Sequence, residues 1–154
     1  MIDIPNFKTL TIRHIVCDYN GTIATDGRVH SSIKALFEKL CENYKIHVIT
    51  ADTFGSVHKQ LEDYPVSIKV LESENHTEEK ADYIKSLNSL ESVAIGNGNN
   101  DVAMLKEARV GIALLGDEGC AGATLTQADL ICKSIEDALE LFIYPKRLIA
   151  TLRS

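Results

Sequence analysis

A doubly wound α/β domain, a parallel sheet with helices on both faces, is predicted for this 154-residue chain by three observations. Short apolar runs rich in isoleucine and valine alternate with stretches whose apolar residues repeat at helical spacing. The alternation persists along most of the chain, and a β-α-β-α order requires right-handed crossovers between parallel strands. Two apolar runs also stop abruptly in loops of glycine, acid and amide residues. These are Asp18-Tyr19-Asn20-Gly21-Thr22 and Gly96-Asn97-Gly98-Asn99-Asn100-Asp101.

The elements follow in order. Residues 6–11 read as a lead-in or an edge strand. The first clear strand is 12–17, and a flap with a turn at Asp26-Gly27 spans 24–29. A helix over 32–43 places Ile33, Leu36, Phe37 and Leu40 on one face. Strands are predicted at 46–50, 67–71, 92–95, 110–113 and 130–132, with helices at 53–62, 77–87, 101–107, 121–124 and 135–142 between or after them. A last helix is expected over 145–152, because Pro145 suits a first helical position. In such folds ligands sit beyond the carboxyl ends of the strands, at the point where strand order reverses. Asp18, Thr50 and Asn97 each end a predicted strand, so all three should face one crevice.

Composition narrows the function. A formal net charge of −6 argues against broad binding to nucleic acid or to anionic membranes. No apolar run reaches the length of a membrane span. The start, Met1-Ile2-Asp3-Ile4-Pro5, lacks the basic and apolar regions of a signal peptide. Cys17, Cys41, Cys120 and Cys132 are widely spaced and form no C-x-x-C pair, which suits reduced thiols in a cytoplasmic protein. The five histidines show no ligand spacing, so a zinc site is not expected.

The motifs carry a specific resemblance. Asp18-Tyr19-Asn20-Gly21-Thr22, Thr50-Ala51-Asp52, Lys80 and Gly96-Asn97-Gly98-Asn99-Asn100-Asp101 resemble, in order and spacing, the four motifs of the haloacid dehalogenase superfamily. Within it the likeness is closest to the phosphorylation domain of P-type ATPases, whose patterns are D-K-T-G-T, T-G-D, a lysine and G-D-G-x-N-D. The resemblance covers roughly residues 12–132 and implies a Rossmann-like, capless domain filling residues 1–154.

The resemblance also implies roles. Asp18 would attack phosphorus and become an aspartyl phosphate. Thr50 would hydrogen-bond a phosphoryl oxygen, with Gly21, Ala51 and Asn100 lining the substrate site. Lys80 would neutralise charge on the phosphoryl group and on Asp18. Magnesium would bind Asp18, the backbone carbonyl of Asn20, Asn97 and, in compensation for the missing acid, Asp101. Two humbler readings stand beside these. Asp52 serves equally well as a helix N-cap, and Asn99 or Asn100 as a cap for the helix that follows.

Two amides depart from the family pattern. Ordinary phosphatases of the superfamily carry D-x-D, whose second acid protonates the leaving group and then activates water. Asn20 holds that place and cannot exchange a proton. The expected consequence is phosphoryl transfer to Asp18 with slow release, favouring good leaving groups such as nucleotides and acyl or aryl phosphates. Asn97 replaces an acid that usually ligates magnesium, so metal affinity should fall. Both amides precede glycine, a sequence prone to deamidation.

The short intervals between Thr22 and Thr50 and between Thr50 and Lys80 leave no room for a cap or nucleotide-binding insertion. An open site should admit a large phosphorylated substrate or be covered by a second copy in a homo-oligomer. The alternative is a regulatory or phosphate-binding homologue with little turnover, or a subunit whose partner covers the site.

Overall fold

The computed structural model describes residues 1–52 and 55–154. Its centre is a six-stranded parallel sheet. The strands are β3 (His14–Asp18), β6 (Lys45–Thr50), β7 (Val66–Val70), β8 (Ser92–Gly96), β9 (Val110–Leu114) and β10 (Leu130–Cys132), in spatial order β10-β9-β8-β3-β6-β7. β3 lies between β6 and β8 and pairs in parallel with both. The chain winds outward from β3 in both directions, which creates the switch point at its carboxyl end.

β3 reads as a continuous apolar run because both of its faces are buried. Ile15 and Cys17 pack on one face with Phe37, Leu139, Phe142 and Leu148. These come from α1 (Ile33–Leu40), α6 (Ile135–Ile143) and α7 (Pro145–Leu152). Val16 packs on the other face with Ile84, Met104 and Leu105. They come from α3 (His76–Leu87) and α4 (Val102–Glu107). Alternation along the strand puts Asp18 on the same side as Val16, towards α3.

The predicted elements are present, with shifts at their ends. α1 buries Ile33, Phe37 and Leu40, with Leu36 beside them. α7 begins at Pro145. The helix expected over 53–62 is the shorter α2 (Ser56–Gln60), and its Thr53-Phe54 part lies outside the described residues. The helix after the second glycine loop opens as a 3-10 turn, Asn99–Asp101, before α4. α5 (Gly122–Gln127) runs three residues beyond its expected end.

The N-terminus corrects one expectation. Residues 6–11 are neither a lead-in nor an edge of the main sheet. β1 (Ile2–Ile4) and β2 (Lys8–Leu10) form their own antiparallel hairpin. Asn6 turns it in the left-handed region, and Asn6 Nδ2 donates to the Ser154 carbonyl at 2.7 Å. An asparagine tolerates that conformation, which is why this turn needs no glycine.

The flap is a second small hairpin, β4 (Ala24–Thr25) with β5 (Arg28–Val29). Asp26 and Gly27 both take positive φ, 53° and 78°. That is the two-residue turn which matches the twist of an antiparallel pair, and Asp-Gly is its favoured sequence. Among the described residues no helix is long and apolar enough to cross a membrane.

Candidate phosphoryl site

The four motifs meet at the carboxyl ends of β3, β6 and β8. Asp18, Tyr19, Asn20, Thr50, Ala51, Leu71, Lys80, Asn97, Gly98 and Asn100 line one crevice of about 190 Å³. That volume suits a phosphoryl group and leaves the remainder of any substrate outside. A larger hollow of about 410 Å³ lies at the opposite end of the strands, around Arg13, His14 and Lys45, and holds none of the motif residues.

Lys80 organises the crevice. It sits in the second turn of α3, which Asn75 caps by accepting from the Glu78 amide. Its ammonium donates to Asp18 Oδ1 at 3.0 Å, Asn100 Oδ1 at 3.1 Å and Asp101 Oδ1 at 2.8 Å. The side chain is 2% exposed although it starts from a charged helix turn, Glu78-Glu79-Lys80. A buried ammonium needs its three protons satisfied, and these three acceptors match them.

Asp101 has no free oxygen. Oδ1 accepts from Lys80, while Oδ2 accepts from the Asn97 and Gly98 amides, both at 3.0 Å. The residue is fully buried. Its carboxylate shapes the Asn97-Gly98 loop and holds Lys80. Gly96 makes room for it, since a Cβ there would lie 2.5 Å from the Asp101 carboxylate.

The charges are strongly coupled. Burial and the nearby Asp101 charge push the Asp18 carboxyl up to about 7, against the pull of Lys80 and a hydrogen bond from Tyr19. Burial alone would lower the Lys80 ammonium, but the two carboxylates outweigh it and raise it. Two carboxylates against one ammonium leave the buried trio one negative charge in excess. A cation or an array of donors at Asp18 would relieve it.

The remaining predicted residues fall as follows. Thr50 is buried, and its hydroxyl accepts from the Asp52 amide at 3.1 Å. Asn20 is exposed at the crevice mouth. Gly21 takes φ +78 and lies so close to the Asn97 amide that no Cβ would fit. Ala51 is exposed beside Thr50. Asp52 faces α2, where Oδ2 accepts from Ser56 Oγ at 2.6 Å and the Val57 amide at 3.0 Å, although the helix's N-cap position itself is Gly55. Asn100 supplies an acceptor to Lys80.

Sequence reasoning missed Tyr19, whose hydroxyl donates to the Gly27 carbonyl and ties the flap to the first loop. It also missed Thr124, a fully buried hydroxyl that donates to the Gly98 carbonyl. No local signal marked either one. A threonine inside a short helix reads as an ordinary surface residue until tertiary packing places it.

The site could hold a hard cation. The crevice offers the Asp18 carboxylate and oxygens of Asn20 and Asn97, without thiol or imidazole. Magnesium typically takes one or two carboxylates and completes its shell with water and substrate phosphate, so the donor set fits it sparingly. Among the described residues no three His, Cys, Asp or Glu side chains cluster into a metal site of their own.

No protein-family model matches the chain. It is 40% identical over 90 residues to Uncharacterized protein MJ0073 of Methanocaldococcus jannaschii, an alignment covering 54% of this chain and 97% of that protein. It is also 24% identical over 123 residues to a soluble P-type ATPase-like phosphatase of the same organism, covering 78% of this chain and 45% of that protein. The chain thus spans less than half of the second relative's length. Two solved structures superpose with a TM-score of 0.74 each. The cobalt-bound deoxy-D-mannose-octulosonate 8-phosphate phosphatase of Haemophilus influenzae is 12% identical, covering 87% of this chain and 88% of that one. The 3-deoxy-D-manno-octulosonate 8-phosphate phosphatase of Moraxella catarrhalis, in complex with magnesium ion, phosphate ion and a KDO molecule, is 17% identical, covering 93% of this chain and 94% of that one. The chain belongs to the family of the first archaeal protein, and it shares its fold with the two phosphatases.

Proposed function

We propose that this protein is a magnesium-dependent phosphohydrolase working through an aspartyl phosphate on Asp18, with slow hydrolysis of that intermediate. The observation that carries the reading is the Lys80 ammonium held among Asp18, Asn100 and Asp101 at the sheet's switch point. The metal- and phosphate-bound relative of similar fold supports it.

In this reading Asp18 attacks phosphorus, and the leaving group departs towards the open mouth of the crevice. Lys80 offsets charge on the nucleophile and on the incoming phosphoryl oxygens. Thr50 and the Asn100 amide orient those oxygens. Asp18, the Asn20 carbonyl and the Asn97 side-chain oxygen would hold magnesium, which when bound supplies positive charge for the nucleophile and the phosphoryl group. Among the described residues, the titratable side chains lining the crevice are Asp18, Tyr19 and Lys80, and Tyr19 is committed to the flap. Protonation of the leaving group and activation of water therefore lack a dedicated residue. That favours nucleotides, acyl phosphates and aryl phosphates, whose leaving groups need little protonation.

The site is proposed to be capless. Between β3 and α1 the chain inserts only its first loop and the flap, so a phosphorylated small molecule or nucleotide would reach Asp18 directly, or a second copy of the chain would shelter it. Four free cysteines accord with a cytoplasmic setting.

A second reading is a regulatory phosphate-binding homologue. The sparse donor set favours it, because one open carboxylate is little for a metal. Covalent labelling separates the two. Incubation with magnesium and gamma-labelled ATP or acetyl phosphate, followed by an acid quench, should leave label on wild type and none on Asp18→Asn. If neither label nor released phosphate appears, the binding reading stands.

A further inference from the structure

We infer that Asn97 is a positioning residue, kept as an amide because its nitrogen anchors the 116–121 loop that braces the flap. Its consequence for turnover rests on the phosphohydrolase reading, whereas the contacts themselves do not. Asn97 Nδ2 donates to the Gly119 carbonyl at 3.1 Å. The Asn97 carbonyl accepts from the Ala121 amide at 2.8 Å. A carbonyl oxygen can only accept, so the atom facing Gly119 has to carry hydrogen. An aspartate at this position would set a charged oxygen against that carbonyl and lose the bond.

The anchored segment reaches the flap. Gly119 adopts φ +81, and its amide closes a turn on the Gly116 carbonyl at 3.0 Å. From this turn Glu118 Oε2 accepts from the Asp26 amide at 3.1 Å, and Asp117 Oδ2 accepts from Thr25 Oγ1 at 3.3 Å. Both partners belong to the flap. The flap returns to the first motif through Tyr19, whose hydroxyl donates to Gly27 O at 2.8 Å, one residue beyond Asp18. Asn97, the 116–121 loop, the flap and Tyr19 thus form a ring of contacts around the crevice. On its other side the Asn97 side-chain oxygen lies 3.5 Å from the Thr22 hydroxyl.

The amide at position 97 is therefore fitted to this chain rather than being a worn aspartate. It gives up a negative charge beside the proposed metal position and gains a fixed flap. Occupancy of the crevice and order in the flap are linked through the same side chain.

Hydrogen–deuterium exchange on metal-free protein tests this without relying on catalysis. In Asn97→Asp, segments 116–121 and 24–29 should exchange about tenfold faster than in wild type, the scale of one hydrogen bond replaced by an unsatisfied acceptor. Strands β3 and β8 should keep their protection. Asn97→Ala, which removes the donor without adding charge, should move the same two segments and serves if the aspartate variant fails to fold. Magnesium with inorganic phosphate should slow exchange of 24–29 in wild type and less so in Glu118→Ala, whose link to the flap is cut. Unchanged exchange in both segments, or a rise spread evenly over the chain, would overturn the inference. Failure of Asp18 to take label would refute the phosphohydrolase reading and leave the metal-free exchange result as it is.

Discussion

Lys80 lies 2.8 Å from Asp101 and both are fully enclosed, so the charge that serves the nucleophile is held by a residue that never faces the crevice. Removing one member of a buried ion pair leaves an uncompensated charge. Lys80→Met should therefore cost roughly 3–5 kcal/mol of stability. Urea unfolding at neutral pH would measure it, and a loss under 1 kcal/mol would mean that Asp18 and Asp101 are not both charged.

Asp18 makes the metal-free protein less stable as pH rises. Its folded value is raised, to about 7, above the ordinary carboxyl value near 4, so folding favours the protonated form. That contribution is complete in acid and is lost as pH rises towards and through 7. Asp18→Asn mimics the protonated state. It should melt several degrees above metal-free wild type at pH 8 and approach it at or below pH 4. Equal melting points at both values would show that Lys80 neutralises Asp18 fully.

Asn20→Asp should speed loss of the phosphoryl group from Asp18 by about 10²–10⁴-fold, the usual contribution of a placed acid–base group. Single-turnover decay of the acid-stable label reads this directly. A decay rate unchanged by the substitution would place the barrier elsewhere, for example in the sparse metal site.

Gly96→Ala should damage the site through packing alone. The added methyl carbon meets the Asp101 carboxylate 2.5 Å away, so Asp101 must move and release the Asn97 and Gly98 amides. A cost of about 1–3 kcal/mol is expected from overpacking, together with loss of labelling at Asp18. Full activity in a stable variant would show that the second loop tolerates displacement.

His47 sets an acid limit of the opposite sign. Burial, His14 and Lys45 lower it to about 4, and its ring bonds the His14 ring at 3.0 Å and the Tyr83 hydroxyl at 2.8 Å. The unfolded chain takes up a proton near pH 6.5 while the folded chain resists until about 4. This contribution is complete above pH 6.5 and drains away as pH falls through that window. Its ceiling is roughly 3 kcal/mol at 1.36 kcal/mol per pH unit. His47→Gln should flatten the stability profile between pH 6.5 and 4, as followed by urea midpoints.

Much of this was legible along the chain. The apolar run before Asp18 announced a strand buried on both faces, and the Asp26-Gly27 pair announced the flap turn. Pro145 marked a helix start. Such signals depend on neighbours within a few residues, and backbone chemistry dictates them locally. The hairpin at 2–10 escaped because its strands are three residues long and carry little pattern. The three acceptors around Lys80 were not legible either, since they come from segments that meet only in the fold.

The sequence by itself determined the fold class, the order of the strands' sharp ends and the chemical types gathered there, because periodicity and strand-end loops are written in adjacent residues. Only the tertiary structure decided which oxygens remain open. It spent both oxygens of Asp101 on Lys80 and the Asn97-Gly98 loop, and it turned the nitrogen of Asn97 towards Gly119. The physical reason is that a buried polar atom must find a partner, and those partners come from segments far apart in the chain.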